Sequence, residues 1–266
     1  DLDLDKGEIL GLVGESGSGK SMTAMSIMGL LPLMGGRVKA GSIRFDGTEL
    51  TTLDERSYRA LRGGRIALIT QNPMTSLDPV VRVGRQIDQV AQLHLHLDRK
   101  EAKARSVELM ERMRIPDPAL AYDLFPHQLS GGMRQRIVIA MALAGDPELL
   151  IADEPTTALD VTVQAQIIQL LVQLVRERGL GLVLITHDMG VVAQTCDRVA
   201  VMYCGQVIEY GSVTTIFDHP RHPYTGALIG CIPRPGMLPG TLTGIPGVVP
   251  SAGNMPNGCR FNTRCN

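Results

Sequence analysis

The apolar positions of this chain fall into short dense runs separated by longer amphipathic stretches. Glu-Ile-Leu-Gly-Leu-Val at 8–13, Arg-Ile-Ala-Leu-Ile-Thr at 65–70, Glu-Leu-Leu-Ile-Ala-Asp at 148–153 and the run at 182–186 are compact and nearly free of polar residues inside. That is the pattern of strands buried on both faces. Ser-Ile-Arg-Phe-Asp at 42–46 predicts a further strand closing at Gly47, and 198–203 with 206–210 predict a hairpin around Cys204-Gly205. Between these runs the apolar spacing turns helical. Helices are expected over 22–31, 51–61, 133–144, 161–178 and 189–195, with Gly179 stopping the fourth. Val83, Ile87, Val90 and Ala91 share one stripe, and Val107, Met110 and Met113 share another. Residues 81–145 therefore predict an all-helical insertion, with Asp98 as the N-cap of its second helix. Strands alternating with helices predict an α/β fold with a mainly parallel sheet.

Composition changes this picture little. The chain has 266 residues, of which 44% are hydrophobic and 20% charged. That is enough to bury a substantial core. A net charge of −1 gives no field that would draw the chain to nucleic acid or anionic lipid. Four Phe, five Tyr and no Trp offer little for stacking single-stranded bases. No apolar run approaches the ~18 residues of a membrane span, and no basic-then-apolar leader stands at the start. The expectation is a cytosolic protein, or one held at a membrane only through partners. The chain begins without Met and ends in a Cys-containing segment, which reads as trimming at both ends.

Gly14-Glu15-Ser16-Gly17-Ser18-Gly19-Lys20-Ser21 follows a predicted strand and opens a predicted helix. In that context the glycines let backbone N–H groups turn around phosphate oxygens, and the helix N-terminus adds its dipole. Lys20 is expected to reach the β- and γ-phosphates and Ser21 to ligate Mg²⁺. Further along, one strand ends in Asp153-Glu154. Asp153 is placed to hold the Mg²⁺ shell, and Glu154 to take a proton from an attacking water. Gln71 ends another strand, where an amide can ligate Mg²⁺ or orient water. It also opens the irregular Asn72–Pro79 segment leading into the helical insertion, so it could report phosphate occupancy there. His187 ends the next strand and can hydrogen-bond the γ-phosphate. Ser130-Gly131-Gly132 forms a second anion-binding nest at a helix start. If it tops the distant insertion it can reach only a partner chain's phosphates, which implies a head-to-tail dimer with two ATPs at the interface.

With these residues in order, the chain resembles the nucleotide-binding subunit of an ABC transporter. The resemblance implies a RecA-like P-loop NTPase core, an α-helical subdomain and a small C-terminal extension. It divides the chain into 1–80 and 146–217 for the two parts of the core, 81–145 for the helical subdomain carrying the signature, and 218–266 for the extension. It implies Walker A at 14–21, the Q-loop glutamine at Gln71, the signature at 129–133, Walker B at 149–153, the catalytic glutamate at Glu154 and the switch histidine at His187. It also implies a D-loop at Ala158-Leu159-Asp160, with Asp160 near nucleotide. Met133 stands where many relatives have Gln. The family stacks adenine on an aromatic upstream of Walker A, and here no aromatic precedes Phe45, which suggests missing N-terminal strands or weaker base binding.

The segments 71–79, 152–162 and 187–193 resemble those of dipeptide and oligopeptide importers, as do His222–Leu228, Ile245–Pro250 and Asn257–Cys265. The resemblance implies two permease subunits, a second ATPase subunit (a paralogue or a second copy), an extracytoplasmic solute-binding protein, no nucleic acid, and a place on the cytoplasmic face of the membrane. The same subfamily serves nickel and glutathione uptake. Two other classes remain open: a soluble ABC-type ATPase of DNA repair or translation, disfavoured by the single cassette without heptads, and a metal-binding regulator built on the tail cysteines. An odd count of five cysteines argues against disulfides, and Cys196, Cys204 and Cys231 are expected to be inert. Cys259 and Cys265 lie in a Pro/Gly-rich tail of the kind a metal can staple. In related peptide importers this tail resembles the first half of a four-cysteine iron–sulfur site, so a [4Fe-4S] cluster is implied for the full-length protein. Two thiolates do not complete it, and the expectation for this chain is an empty or partial site.

Overall fold

The structure is a computed structural model that describes residues 1–157, 159–232, 244–251 and 253–265. Strand β1 (Ile9–Val13) runs through the loop 14–19 into α1 (Lys20–Ile27). A small antiparallel ribbon, β2 (Arg44–Phe45) and β3 (Thr48–Glu49), leads to α2 (Glu55–Leu61) and β4 (Ile66–Ile69). Then come α3 (Pro73–Ser76), α4 (Val83–Leu95), α5 (Arg99–Arg112), α6 (Pro118–Ala121) and α7 (Gly131–Leu143). The chain returns through β5 (Leu149–Asp153), α8 (Val161–Arg178), β6 (Gly181–Ile185) and α9 (Met189–Thr195). It continues with the hairpin β7 (Arg198–Tyr203) and β8 (Gln206–Ser212), then α10 (Val213–Asp218) and α11 (Pro223–Gly230).

The main sheet has the order β4-β5-β6-β1-β7-β8 and is parallel except for the β7–β8 hairpin. Apart from the edge strand β8, which is half-buried, its strands are buried on both faces, and residues of β5 and β6 alternate between two cores. Leu150 and Ala152 of β5 and Leu182 and Leu184 of β6 join the cluster that includes the apolar sides of α4, α5, α7 and α8. Ile151, Val183 and Ile185 point the other way, into a cluster with Ala24, Met28, Leu50 and Tyr58. Each such side chain contributes about 1.5–3 kcal/mol on burial, so the period of two fixes the register of the sheet. Of the helical stripes read from the sequence, Val83, Ile87, Ala91, Met110 and Met113 are fully enclosed, and Val90 and Val107 are half-buried against the same core.

Helix boundaries follow local caps. Asp98 caps α5 in a reciprocal box with Glu101, and α8 ends at Gly179 with φ +64°. The helix expected over 22–31 starts earlier, at Lys20, and ends at Ile27. Gly29 stops it, with φ +61° and the Tyr58 ring 2.5 Å from where a Cβ would stand. The helix expected over 51–61 is split. Leu50–Thr52 forms a 3₁₀ turn, and Asp54 then caps α2 by accepting the Ser57 N–H at 2.8 Å.

Because the strands are parallel and adjacent, their C-terminal ends lie along one edge. Ile69 pairs with Ala152, Asp153 with Ile185, and Ile185 with Leu12. Glu154 and Gly14 directly follow β5 and β1, and Gln71 and His187 stand two residues beyond the ends of β4 and β6, so the topology brings all four to that edge. Open α/β sheets bind ligands at such edges.

Candidate active site

The loop 14–19 turns tightly at the end of β1. Gly14 has φ +149°, and a Cβ there would sit 2.2 Å from the Met202 carbonyl oxygen. No other residue fits. Gly19, with φ +103°, stands at the N-cap of α1 without a side chain to satisfy the first-turn N–H groups. These donors stay available for an anion. The Ser18 N–H donates to the Glu15 carbonyl at 3.2 Å, and the Gly205 N–H donates to the Ser18 carbonyl at 2.8 Å, which ties the loop to the β7–β8 turn. Lys20 is buried and curls over the loop, donating to the carbonyls of Gly14 and Glu15 at 2.7 and 2.9 Å and to Ser18 Oγ at 3.3 Å. Burial lowers its affinity for the proton, opposed by the carboxylates of Glu154, Asp153 and Glu15. Ser16 and Gly17 of the loop and Ser21 of α1 are exposed.

Beside the loop lie the two acids. Asp153 is only 6% exposed, and its Oδ1 has no hydrogen-bond partner. Burial raises its pKa above the usual aspartate value, while the neighbouring Ser21 hydroxyl pulls it back. An orphaned buried carboxylate oxygen next to a serine hydroxyl fits a hard divalent cation such as Mg²⁺, which takes oxygen ligands from one or two carboxylates plus substrate phosphates. Glu154 has φ +46°. This left-handed turn swings its side chain out of the strand line toward three partners. Gln71 Nε2 donates to Oε2 at 2.9 Å, Thr157 Oγ1 donates to the same oxygen at 2.9 Å, and His187 Nδ1 lies 3.3 Å from Oε1. Burial would raise the Glu154 pKa, but the hydrogen bonds from Thr157 and His187 outweigh it and hold the carboxyl below the ordinary glutamate range. Gln71 thus meets Glu154 through its amide nitrogen.

No motif in the sequence marks Thr157 as a partner of Glu154. Its signal is the turn Glu154-Pro155-Thr156-Thr157, closed by the Thr157 N–H to the Glu154 carbonyl at 3.2 Å. Proline suits the second position of such a turn, and the fourth residue then returns to the first. Tyr224 and Arg264 were also missed. The Tyr224 hydroxyl accepts the Glu15 N–H at 2.9 Å, and Arg264 forms a two-pronged pair with the Glu15 carboxylate at 2.7 and 3.0 Å.

The remaining expected residues form a second group. Ser130 caps α7, accepting the Met133 N–H at 3.3 Å. A Cβ on Gly132 would come 2.8 Å from Val163 Cγ1, so this segment lies on the start of α8. Asp160 caps α8 through the Val163 N–H at 2.9 Å. Ala158 lies outside the described residues. Among the described residues no hydrogen bond joins 130–132 or Asp160 to the loop 14–21. Cys259 and Cys265 are exposed, and among the described residues no group of three or more His, Cys, Asp or Glu side chains could hold a metal. The iron–sulfur expectation for the full-length protein finds no support among these residues.

Residues 1–157, which carry the phosphate loop, the strand-end acid pair with Gln71 and the separate Gly-rich helix cap, match the ABC transporter family model. The oligopeptide/dipeptide transporter C-terminal region matches residues 208–266. The chain belongs to the ATP-binding subunits of ABC transporters. It is 52% identical over 262 residues to the oligopeptide transport ATP-binding protein OppD of Bacillus subtilis, covering 98% of this chain and 73% of that protein. It is 49% identical over 260 residues to the dipeptide transport ATP-binding protein DppD of Escherichia coli, covering 98% and 79%. Its fold is similar to a dimeric ATP-binding cassette in a post-hydrolysis state bound to ADP and phosphate (TM-score 0.71, 28% identity, 80% of this chain and 88% of that one). As an ABC ATP-binding subunit the protein is an ATPase that uses ATP and Mg²⁺. Among the described residues no helix is long and apolar enough to cross a membrane.

Proposed function

We propose that this subunit hydrolyses ATP at a site shared between two cassettes to energise the import of di- and oligopeptides. The observation that carries this reading is the convergence of Gln71, Thr157 and His187 on Glu154, one residue beyond Asp153 at the edge that holds the phosphate loop. The first-turn N–H groups of α1 and Lys20 bind the phosphates. Mg²⁺, when bound, neutralises charge on the β- and γ-phosphates, and Asp153 and Ser21 are the residues that would hold it. Glu154, ionised at neutral pH, accepts the proton of the attacking water as its oxygen bonds to the γ-phosphorus and the bond to ADP breaks. His187 and Thr157 fix the carboxylate's direction. His187, at the strand end, is also placed to donate to the γ-phosphate.

Among the described residues no hydrogen bond ties the signature group to the loop of its own chain, which supports a head-to-tail pairing. Ser130, Gly131 and Gly132 of one subunit, with Asp160 beside them, complete the loop site of the other. The second subunit is a paralogue or a second copy. The helical insertion 81–145, together with Gln71 and the following loop, then carries closure to two membrane permeases on the cytoplasmic face, served by an extracytoplasmic binding protein. In this division the core is 1–80 and 146–217 and the extension 218–266, of which Tyr224, Ile229 and Phe261 share a cluster with Val13, Val199 and Val201. The relatives are named for peptides, so nickel, glutathione and a soluble repair or translation role are not favoured. The test is ATPase activity of the lipid-reconstituted complex. Stimulation by peptide-loaded binding protein supports the reading. Stimulation only by another solute, or no membrane partner, contradicts it.

A further inference from the structure

The C-terminal segment reaches back to the phosphate loop. Arg264 is buried, with its side chain 2% exposed, yet its charge is spent on one residue, Glu15. Its Nη1 and Nη2 reach the two carboxylate oxygens at 2.7 and 3.0 Å. The rest of the guanidinium is used up by fixed acceptors: the Pro246 carbonyl at 2.8 Å, the Ile245 carbonyl at 3.2 Å and the Tyr203 hydroxyl at 3.4 Å. Phe261 closes the pocket, meeting Tyr203 edge-on with ring centres 5.3 Å apart. Tyr224, fully buried in the same aromatic cluster, points its hydroxyl at the backbone and accepts the Glu15 N–H at 2.9 Å. Both the peptide and the carboxylate of one loop residue are thus held by the segment that follows β8.

Glu15 needs this. Its carboxylate sits inside a loop built to receive a polyanion, where an unpaired negative charge opposes binding. A two-pronged arginine neutralises that charge and fixes its direction. The Tyr224 hydroxyl fixes the orientation of the peptide plane that leads into the cradle of N–H groups.

We propose that Arg264 and Tyr224 are positioning residues for ATP, so that the C-terminal extension sets the affinity of the phosphate loop by holding Glu15. The proposal rests on the reading of residues 14–21 as the ATP phosphate site. It separates two roles for the extension, a passive cover and a part of the nucleotide site.

The test measures KM for Mg·ATP, kcat and thermal stability of the full-length subunit in its reconstituted complex. For Arg264→Gln the expected result is a rise in KM of about tenfold with kcat changed less than about twofold, because the exposed Glu15 charge opposes the incoming phosphates. The pair Glu15→Gln/Arg264→Gln removes both charges and brings KM back toward wild type. Tyr224→Phe keeps the ring packing and loses only the acceptor, with KM raised about threefold. If Arg264→Gln fails to fold, Tyr224→Phe decides. An unchanged KM in the folded variants, whatever happens to the melting temperature, overturns the proposal, as does a double variant no better than Arg264→Gln alone. Lys20→Ala serves as the control. If it binds ATP normally, the phosphate-site reading itself has failed. If it does not bind while KM is unmoved by the other variants, only the positioning proposal has failed.

Discussion

Gln71 and Glu154 meet across 2.9 Å, joining the ends of adjacent strands β4 and β5 by an amide-to-carboxylate hydrogen bond. Gln71 is also the last residue before the Asn72–Pro79 segment and the helical insertion. The proposed proton acceptor and the start of the proposed path toward the insertion therefore share one contact.

Replacing that amide by an acid tests the contact. In Gln71→Glu two carboxylates would share the place of one bond, and like charges that close raise the pKa of one of the pair. The acid limb of the kcat profile is expected to move up by about one pH unit or more. A profile that overlays the wild type would show that the two groups do not meet in the working enzyme.

Lys20 offers the phosphate loop its only ammonium among the described contacts of that loop. Charge-assisted hydrogen bonds contribute about 1.5–3 kcal/mol each. Lys20→Ala should therefore weaken ATP binding by about 10–100-fold, read by titration calorimetry. Unchanged affinity would remove the loop from the phosphate site.

Much of this site is legible without coordinates. Gly14, Lys20, Asp153, Glu154 and His187 all follow apolar runs, and a parallel sheet must line up its strand ends. Gln71 is found the same way. What the sequence hides is contact across distance. Arg264 and Glu15 lie 249 positions apart, and nothing in a stretch of Asn-Thr-Arg-Cys announces a buried guanidinium. The split of the expected helix 51–61 was hidden for a different reason. Its apolar spacing is helical throughout, and the break depends on Asp54 accepting a backbone N–H locally instead of continuing the helix.

Stability should depend on pH through Glu8. Arg198 holds its carboxylate, through Nε to Oε1 and through Nη2 to Oε2 at 2.7 Å, and that hydrogen bonding depresses the Glu8 pKa, against the raising effect of burial. A depressed carboxyl contributes stability above its unfolded value of about 4.5 and loses it as the pH falls through the folded value. Glu8→Gln should melt about 2–4 °C below wild type at pH 7, with the gap closing well below pH 4.5. A gap that is constant with pH would mean the charge is not what the pair contributes.

The most direct test of the account is single-turnover hydrolysis by Glu154→Gln. The amide keeps the size of the side chain and its partners Thr157 and His187, and loses only the ability to take a proton. The expected result is ATP affinity close to wild type and a hydrolysis rate lower by about 100-fold or more. Turnover at the wild-type rate would show that the proton goes elsewhere and that Glu154 is not the base.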